Sequence, residues 1–443
     1  ALSQHLTYPP FEITWASKEG KGIDDILYSG KTMQQILETK APFSDKPSKL
    51  YDSERAEEVA SAMQGQFLHD GAGTWWSYDR IRGTWKRIPH QVVKQFIAGI
   101  LGERYGKFTC SQRDNCYKLV SCDPRIFVET MGTARGLVGF TNGVLDLSHE
   151  KGFRPANPSD KLIDRLPYPY DPNATCPKIL EWLDFVSNGD EVFVATLRAF
   201  YNCILYQRFS YQKFLELVGQ GGSGKGTALR LGRLLVGRDY SQELYPSHLN
   251  DRFELAALDG KKLATISDAP PTFGDMTVFR ALTGEDTLRS ERKGVDRSFS
   301  PDFVFQGMVM VAAHQSFGVD GSSGMMRRRI SLSFSRKPEG PRRQLISILN
   351  DDEGWSVEGE FAAELPGFFN WVSLMPESQV QHLIANNGWQ ESSTLRAEAQ
   401  EIERSGMPLL DWIFECCVVD PNATSTVGRA KYESGDEATK LYP

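Results

Sequence analysis

The stretch from Gly219 to Thr227 limits what this chain can fold into more than any other. It reads Gly-Gln-Gly-Gly-Ser-Gly-Lys-Gly-Thr. The run before it, Phe214-Leu215-Glu216-Leu217-Val218, is short and mainly apolar, as a buried strand is. The run after it, residues 228–236, carries leucines at helical spacing. Strand, glycine loop and helix in that order form the context in which a phosphate-loop pattern becomes specific. The glycines allow backbone N–H groups to close around a polyphosphate. The helix N-terminus adds unpaired donors and a partial positive charge, and Lys225 brings a full charge to the outer phosphates. Gly219, Gly221, Gly222, Ser223, Gly224, Lys225, Gly226 and Thr227 are therefore the candidate nucleotide contacts. One position departs from the usual pattern. Gly226 stands where a Ser or Thr hydroxyl normally ligates Mg²⁺, and the hydroxyl comes one residue later, on Thr227. Successive helical positions point about 100° apart, which leaves Thr227 two roles: holding the metal through a water, or touching a phosphate.

Composition sets wide bounds. At about 100–200 residues per domain, a chain of 443 residues corresponds to two to four domains. A net charge of −7 means that any nucleic-acid surface must be local, as in a channel or a loop. No apolar run approaches the roughly 18 residues of a membrane span, so no membrane partner is expected. The first residues, Ala1-Leu2-Ser3-Gln4-His5, lack the features of a signal peptide and do not begin with Met, which reads as a piece of a longer chain. Cys110, Cys116 and Cys122 are too widely spaced for a zinc knuckle and read as reduced structural thiols.

In chain order, residues 46–167 read as a small α/β domain. Residues 54–63 and 92–101 have helical spacing, and residues 74–88 alternate aromatic and polar side chains around a turn, a hairpin signature. Residues 140–147 form a strand entered through an Asn142-Gly143 turn. Trp75, Trp76 and Trp85 suit a core or a base-stacking surface, and core is the commoner use. Residues 168–210 start with a Pro-rich linker and continue as a helical collar, and residues 211–345 hold the nucleotide core. There, residues 263–268 form a buried strand ending in one acid, Asp268, 43 residues beyond Lys225. An acid at the C-terminal end of a strand beside the phosphate loop holds Mg²⁺ directly or through water. Next come Leu282-Thr283-Gly284-Glu285-Asp286 and a loop or hairpin with a local excess of cations between Thr287 and Arg297. A buried strand over 303–313 ends at His314-Gln315; a Gly/Ser loop, Arg327-Arg328-Arg329 and a strand over 330–334 follow. Residues 346–405 read as a helical lid, with helices over 345–349, 362–372, 380–385 and 394–404, and residues 406–443 begin a further module.

Phosphate loop, acid-ended strand, Leu-Thr-Gly-x-Asp, polar-ended strand and paired arginines before a short strand follow one another over about 115 residues. In that order they resemble the superfamily-3 helicase core of phage, plasmid and poxvirus-type primase–helicases, an AAA+ ATPase. Residues 140–147 and Leu166-Pro167-Tyr168-Pro169-Tyr170-Asp171-Pro172 are similar to the N-terminal domain of that family, so the resemblance covers roughly residues 50–440. Residues 1–45, with Lys18, Lys21 and Asp24-Asp25, resemble the tail of an upstream toprim-type primase domain. Residues 406–443 resemble the start of a winged-helix module.

The resemblance implies an α/β fold: an AAA+ phosphate-loop core with a parallel sheet, preceded by a small α/β domain and a helical collar and followed by a helical lid. It implies ATP and Mg²⁺ as cofactors, with Lys225 on the β and γ phosphates and with Thr227 and Asp268 toward the metal. It places His314 where a sensor residue stands, makes Arg327 or Arg328 an arginine finger on a neighbour's ATP, and sets Arg292, Lys293 and Arg297 on a DNA-facing hairpin. His314 replaces the usual Asn, and Ala269 follows the single acid Asp268, which leaves Asp286 as a candidate helper. A finger supplied in trans requires a ring. The implied partners are further copies of the chain in a hexamer, single-stranded DNA and an upstream primase domain. The implied location is the cytoplasm of a bacterial host cell carrying a mobile element. The sequence thus reads as an ATP-dependent replicative DNA helicase. Two rivals stand beside it: an ATP-switched origin-binding or loading scaffold without unwinding, and an adenylate-kinase-like nucleotide kinase, whose lid and acceptor site the Leu-Thr-Gly and paired-arginine elements do not fit.

Overall fold

The computed structural model describes residues 11–13, 27–38, 40–42, 51–132, 136–148, 152–271, 276–291, 302–317, 323–341, 343–351, 354–405, 412 and 416. The chain divides into two units, Ala1–Gln64 with Ile88–Phe127 and Gly65–Arg87 with Val128–Pro443.

In the first unit the helices Asp52–Met63, His90–Tyr105 and Cys110–Ser121 pack on one another. Val59, Met63, Val93, Ile97, Leu101 and Val120 are buried. Thr109 starts the third helix with a reciprocal cap. Its hydroxyl accepts from Gln112 N at 3.2 Å, and the Gln112 side chain accepts from Thr109 N at 2.9 Å; such a cap contributes about 1 kcal/mol.

The second unit opens with the strands Phe67–Asp70, Trp75–Asp79 and Thr84–Ile88, neighbours in one sheet. Trp75, Trp76 and Trp85 are all buried, so they build core and offer no stacking surface. Asp70 holds the intervening turn, accepting from Thr74 N and from Trp76 Nε1, both at 2.8 Å. A second sheet runs Leu137–Phe140, Gly143–Asp146, Gly152–Arg154. Phe140 pairs with Gly143, so the turn is Thr141-Asn142 and Gly143 lies in the strand. The glycine is needed there for close approach: a Cβ would sit 2.6 Å from the Arg154 carbonyl.

The centre of the second unit is a five-stranded sheet. In chain order its strands are β1 (Phe214–Val218), β2 (Ser241–Glu243), β3 (Leu263–Ala269), β4 (Met308–Ala313) and β5 (Arg329–Ser333). Their order across the sheet is β2-β3-β4-β1-β5, all parallel. The twofold side-chain period of a strand sends alternate residues to opposite faces. Leu215, Leu217, Met308, Met310, Ile330 and Leu332 face one core, and Phe214, Ala264, Ile266, Val309 and Val311 the other. The first core takes in residues of α1 (Pro177–Ser187), α2 (Glu191–Leu205), α3 (Lys225–Val236) and, far downstream, of Leu365–Ser373 and Ser393–Ser405. The second takes in residues of α4 (Thr277–Gly284). Both faces are covered, as parallel sheets require.

The helix α3 is fixed more firmly than its neighbours in sequence would suggest. Leu229, Leu231, Leu234 and Leu235 are buried, each burial contributing roughly 1.5–3 kcal/mol. Two buried tyrosines donate to its backbone, Tyr201 to Ala228 O at 2.9 Å and Tyr168 to Leu234 O at 2.7 Å. A strand pair, Ser347–Asp351 with Gly354–Glu358, stands where the sequence suggested a helix over 345–349. A short run with two isoleucines serves a strand as well as a helix, and the alternation of Gly354-Trp355-Ser356-Val357 supplies the pairing partner.

Candidate nucleotide site

The loop between β1 and α3 has the backbone that its glycines allow. Gly222 (φ 84°) and Gly224 (φ 107°) are left-handed, the region that side chains with a Cβ avoid. A Cβ on Gly224 would also lie 3.2 Å from the Trp182 ring of α1, and one on Gly219 would overlap the Phe334 carbonyl. Lys225 is the first residue of α3 and is 9% exposed. Its ammonium donates to the carbonyls of Gly219 and Gln220, the latter at 2.9 Å. Burial pushes the Lys225 pKa down from the ordinary lysine value, and the charge of Asp268 pulls it back up. Ser223 Oγ is buried and has no hydrogen-bond partner among the described residues. Gly226 is exposed, whereas Thr227 is buried, so the hydroxyl that the sequence moved by one residue lies on the packed side of the helix.

Asp268 reaches the site by a local irregularity. The pairing of β3 with β4 slips between Ile266 and Ala269, and the bulge exposes two successive residues, Ser267 and Asp268. Bulges of this kind re-aim side chains beside functional sites. Ser267 Oγ donates to Glu243 Oε1 at the end of β2. In the sheet, β4 lies between the acid-bearing strand β3 and β1, the strand that leads into the glycine loop. The residue after β4 is His314, exposed, with its Cε1 3.5 Å from the position of a Cβ on Gly221. Lys225, Asp268 and His314 therefore gather at the carboxyl ends of three neighbouring parallel strands, where open α/β sheets bind ligands.

The three consecutive arginines do different things. Arg327, at the end of the short helix Ser323–Arg328, is exposed, and its side chain has no partner among the described residues. Its carbonyl accepts from the Lys213 ammonium, which also donates to Asn387 Oδ1 at 2.6 Å. Arg328 turns back onto the end of α4: it donates to Arg280 O at 2.9 Å and lies against Gly284. Burial and then the neighbouring Arg327 push its pKa down, and Asp286 opposes them. Asp286 is thus brought to Arg328. Arg329 is buried beside Glu216 of β1, with Nε 3.6 Å from the carboxylate. It donates to Ser316 Oγ at 2.9 Å and to Phe317 O at 2.8 Å. Glu216 accepts from the hydroxyls of Ser316 and Ser331, both at 3.0 Å, and from Phe317 N at 3.2 Å. This buried network was invisible in the sequence, where Glu216 read as one polar residue in an apolar strand.

On either side of the cation-rich segment, Thr287–Leu288 pairs antiparallel with Phe303–Val304. Arg292, Lys293 and Arg297 lie outside the described residues. So do Lys18, Lys21, Asp24 and Asp25. Among the described residues, no group of three or more His, Cys, Asp or Glu side chains is placed to hold a metal, and no helix is long and apolar enough to cross a membrane.

Two sequence families match parts of the chain. Residues 64–188 match a family described as "D5 N terminal like", and residues 217–328, from the end of β1 to Arg328, match a family of unknown function (DUF5906). Among individual proteins, the uncharacterized mitochondrial protein ymf20 of Marchantia polymorpha is 23% identical over 122 residues, 28% of this chain and 70% of that one. The uncharacterized mitochondrial protein ymf21 of the same plant is 30% identical over 83 residues, 19% of this chain and 46% of that one, so the match spans less than half of ymf21. Among solved structures, the apo NrS-1 C terminal region (305-718) superposes with a TM-score of 0.51 at 13% identity, over 80% of this chain and 76% of that one. An A form of the same region gives 0.49 at 13% identity, over 79% and 74%. The likeness to the first is one of fold: a mixed α/β chain with a parallel sheet and many helices.

Proposed function

We propose that this chain is the helicase part of a primase–helicase: an AAA+ ATPase of superfamily 3 that binds ATP and Mg²⁺ and moves on single-stranded DNA as a homo-oligomeric ring. The observation that carries this reading is the convergence of Lys225, Asp268 and His314 on one glycine loop at the carboxyl edge of a parallel sheet. The match to a D5 N terminal like family upstream of that loop supports the same reading.

The residues present fit a nucleotide triphosphate. Ser223 Oγ is a buried hydroxyl without a hydrogen-bond partner among the described residues, and Gly222 and Gly224 are left-handed, a backbone in which successive N–H groups can face an anion. Among the described residues the Lys225 ammonium bonds to loop carbonyls, which phosphate oxygens can replace. Asp268 would hold the metal, directly or through water, and Thr227, on the packed side of α3, would take a secondary part. The metal supplies charge neutralisation at the phosphates. His314, beside Gly221, is the group placed to orient a water or a phosphate oxygen. Of the paired arginines, Arg327 is the finger: Arg328 is committed to the end of α4, and Arg327 alone of the two keeps its guanidinium exposed. A finger in trans makes hydrolysis depend on assembly and is worth ~10³–10⁵ in rate. The ring would also gather the hairpin cations Arg292, Lys293 and Arg297 around a channel, a local positive lining in a chain of net charge −7.

The test is ATPase activity measured with and without single-stranded DNA on size-fractionated protein. The expected result is DNA-stimulated hydrolysis in the oligomeric fraction that Lys225→Ala abolishes. Hydrolysis by a monomer, indifferent to DNA and retained in Lys225→Ala, would refute the proposal.

A further inference from the structure

After β5 the chain continues as Phe334-Ser335-Arg336-Lys337-Pro338. This segment runs along the phosphate loop. Phe334 N donates to Val218 O at 2.7 Å, its carbonyl abuts Gly219, and its ring packs 5.4 Å from that of Phe193. The anchored Phe334 is followed by two cations that part ways. The Arg336 guanidinium sits 4.6 Å over the Phe185 ring of α1. Lys337 goes to the loop: its Cε lies 3.4 Å from the position of a Cβ on Gly222. The ammonium is one bond further along the chain. Lys337 is exposed and has no hydrogen-bond or ion-pair partner among the described residues.

Two features hold it there in advance. Pro338 disfavours the helical backbone for the residue before it and keeps Lys337 extended. The buried Phe334, three residues back, fixes where the segment starts. Gly222 is left-handed, and it carries no Cβ to keep the lysine stem away from the loop. A lysine poised over such a loop, with no carboxylate of its own, lacks only an anion. A phosphate, which recruits lysine as a point charge, is the anion that this loop is shaped to receive.

We propose that Lys337 is a second phosphate-binding cation, acting in cis with Lys225 on the same loop. This rests on the nucleotide-site reading above. The ligand class is a nucleoside triphosphate, and Lys337 contributes to its binding without taking part in proton transfer.

The experiment is isothermal titration of the wild-type chain, Lys225→Ala, Lys337→Ala and Lys337→Arg with MgATP at low ionic strength, with thermal unfolding of each as a folding control. The expected result is that Lys337→Ala weakens binding by about tenfold, that Lys337→Arg stays within about threefold of wild type, and that neither moves the unfolding temperature. If wild type binds, Lys225→Ala does not, and Lys337→Ala binds as tightly as wild type, the proposal is overturned while the nucleotide site stands. If wild type itself does not bind MgATP, the site reading falls and this proposal with it.

Discussion

Arg329→Met tests the buried network most sharply. Glu216 is 0% exposed, and Arg329 is 8% exposed. The substitution keeps much of the side-chain volume and removes the cation that, among the described residues, pairs with that carboxylate. It also removes the bonds to Ser316 Oγ and Phe317 O, and the stacking of the guanidinium 4.8 Å over the Phe317 ring. Breaking a buried ion pair from one side costs about 3–5 kcal/mol, because the remaining charge is left uncompensated. That is a large part of the ~5–15 kcal/mol that keeps a domain folded. The loss has a definite pH dependence. Burial pushes the Glu216 pKa up, and Arg329 is the first influence opposing it. Without Arg329 the folded-state value rises further above the unfolded one. The folded variant then takes up a proton that the unfolded chain releases, so its deficit is smallest at acid pH and grows as pH rises through the carboxylate range. Urea unfolding at pH 5 and pH 8 should show the larger deficit at pH 8. Glu216→Gln combined with Arg329→Met should recover more than half of it, since the amide removes the charge and its oxygen still accepts from a serine. A deficit below about 1 kcal/mol at pH 8, or a double variant no better than the single one, would refute the reasoning.

Asp164 offers a second pH test. Burial, with the nearby Asp239, pushes its pKa up to about 6, against bonds from Asp239 N, Arg165 N and Trp355 Nε1. A carboxylate raised in the folded state binds more protons there, so its contribution falls as pH rises from about 4 to 6. The shift is worth roughly 3 kcal/mol. Asp164→Asn should flatten that part of the melting-temperature profile, and an unchanged slope would contradict the assignment. For the paired arginines, Arg328→Ala should lower stability by about 1–3 kcal/mol, because the Arg280 carbonyl loses its charged donor, with the longer 3.4 Å bond from Thr283 Oγ1 staying, and Gly284 loses its packing. Arg327→Ala should leave the melting temperature unchanged, and equal losses in the two would remove the distinction between them.

Much of this was legible in the residues, for identifiable reasons. The glycine loop was legible because Gly222 and Gly224 occupy backbone conformations that restrict the choice of residue. The strands around it were visible as apolar runs, and the tryptophans near residue 80 went to the core as amphipathic alternation suggests. What stayed hidden depends on contacts distant in sequence. No periodicity places β4 between the phosphate-loop strand and the acid-bearing strand. The bulge that exposes Ser267 and Asp268 is a slip in pairing, and alternation within one strand does not record it. Arg327 and Arg328 are indistinguishable as neighbours in a sequence. They part only because the helical turn sends one to solvent and the other to the end of α4. Glu216 finds its cation in Arg329, on β5, the last core strand in the chain and the neighbour of β1 in the sheet. Lys337 carries no motif, and only the course of the segment after β5 brings it to Gly222.

The central claim is that the site around Lys225 is completed by Arg327 of an adjacent copy. Mixing two inactive variants measures it directly. Lys225→Ala lacks the phosphate lysine but carries the finger, and Arg327→Ala lacks the finger but carries the lysine. Each alone should hydrolyse no ATP. In equal mixture, random assembly into rings gives about a quarter of interfaces an intact lysine facing an intact finger, so DNA-stimulated ATPase should return to about that fraction of wild type. Full activity of Arg327→Ala alone, or a mixture that stays as inactive as its parts while forming mixed rings, would contradict the account.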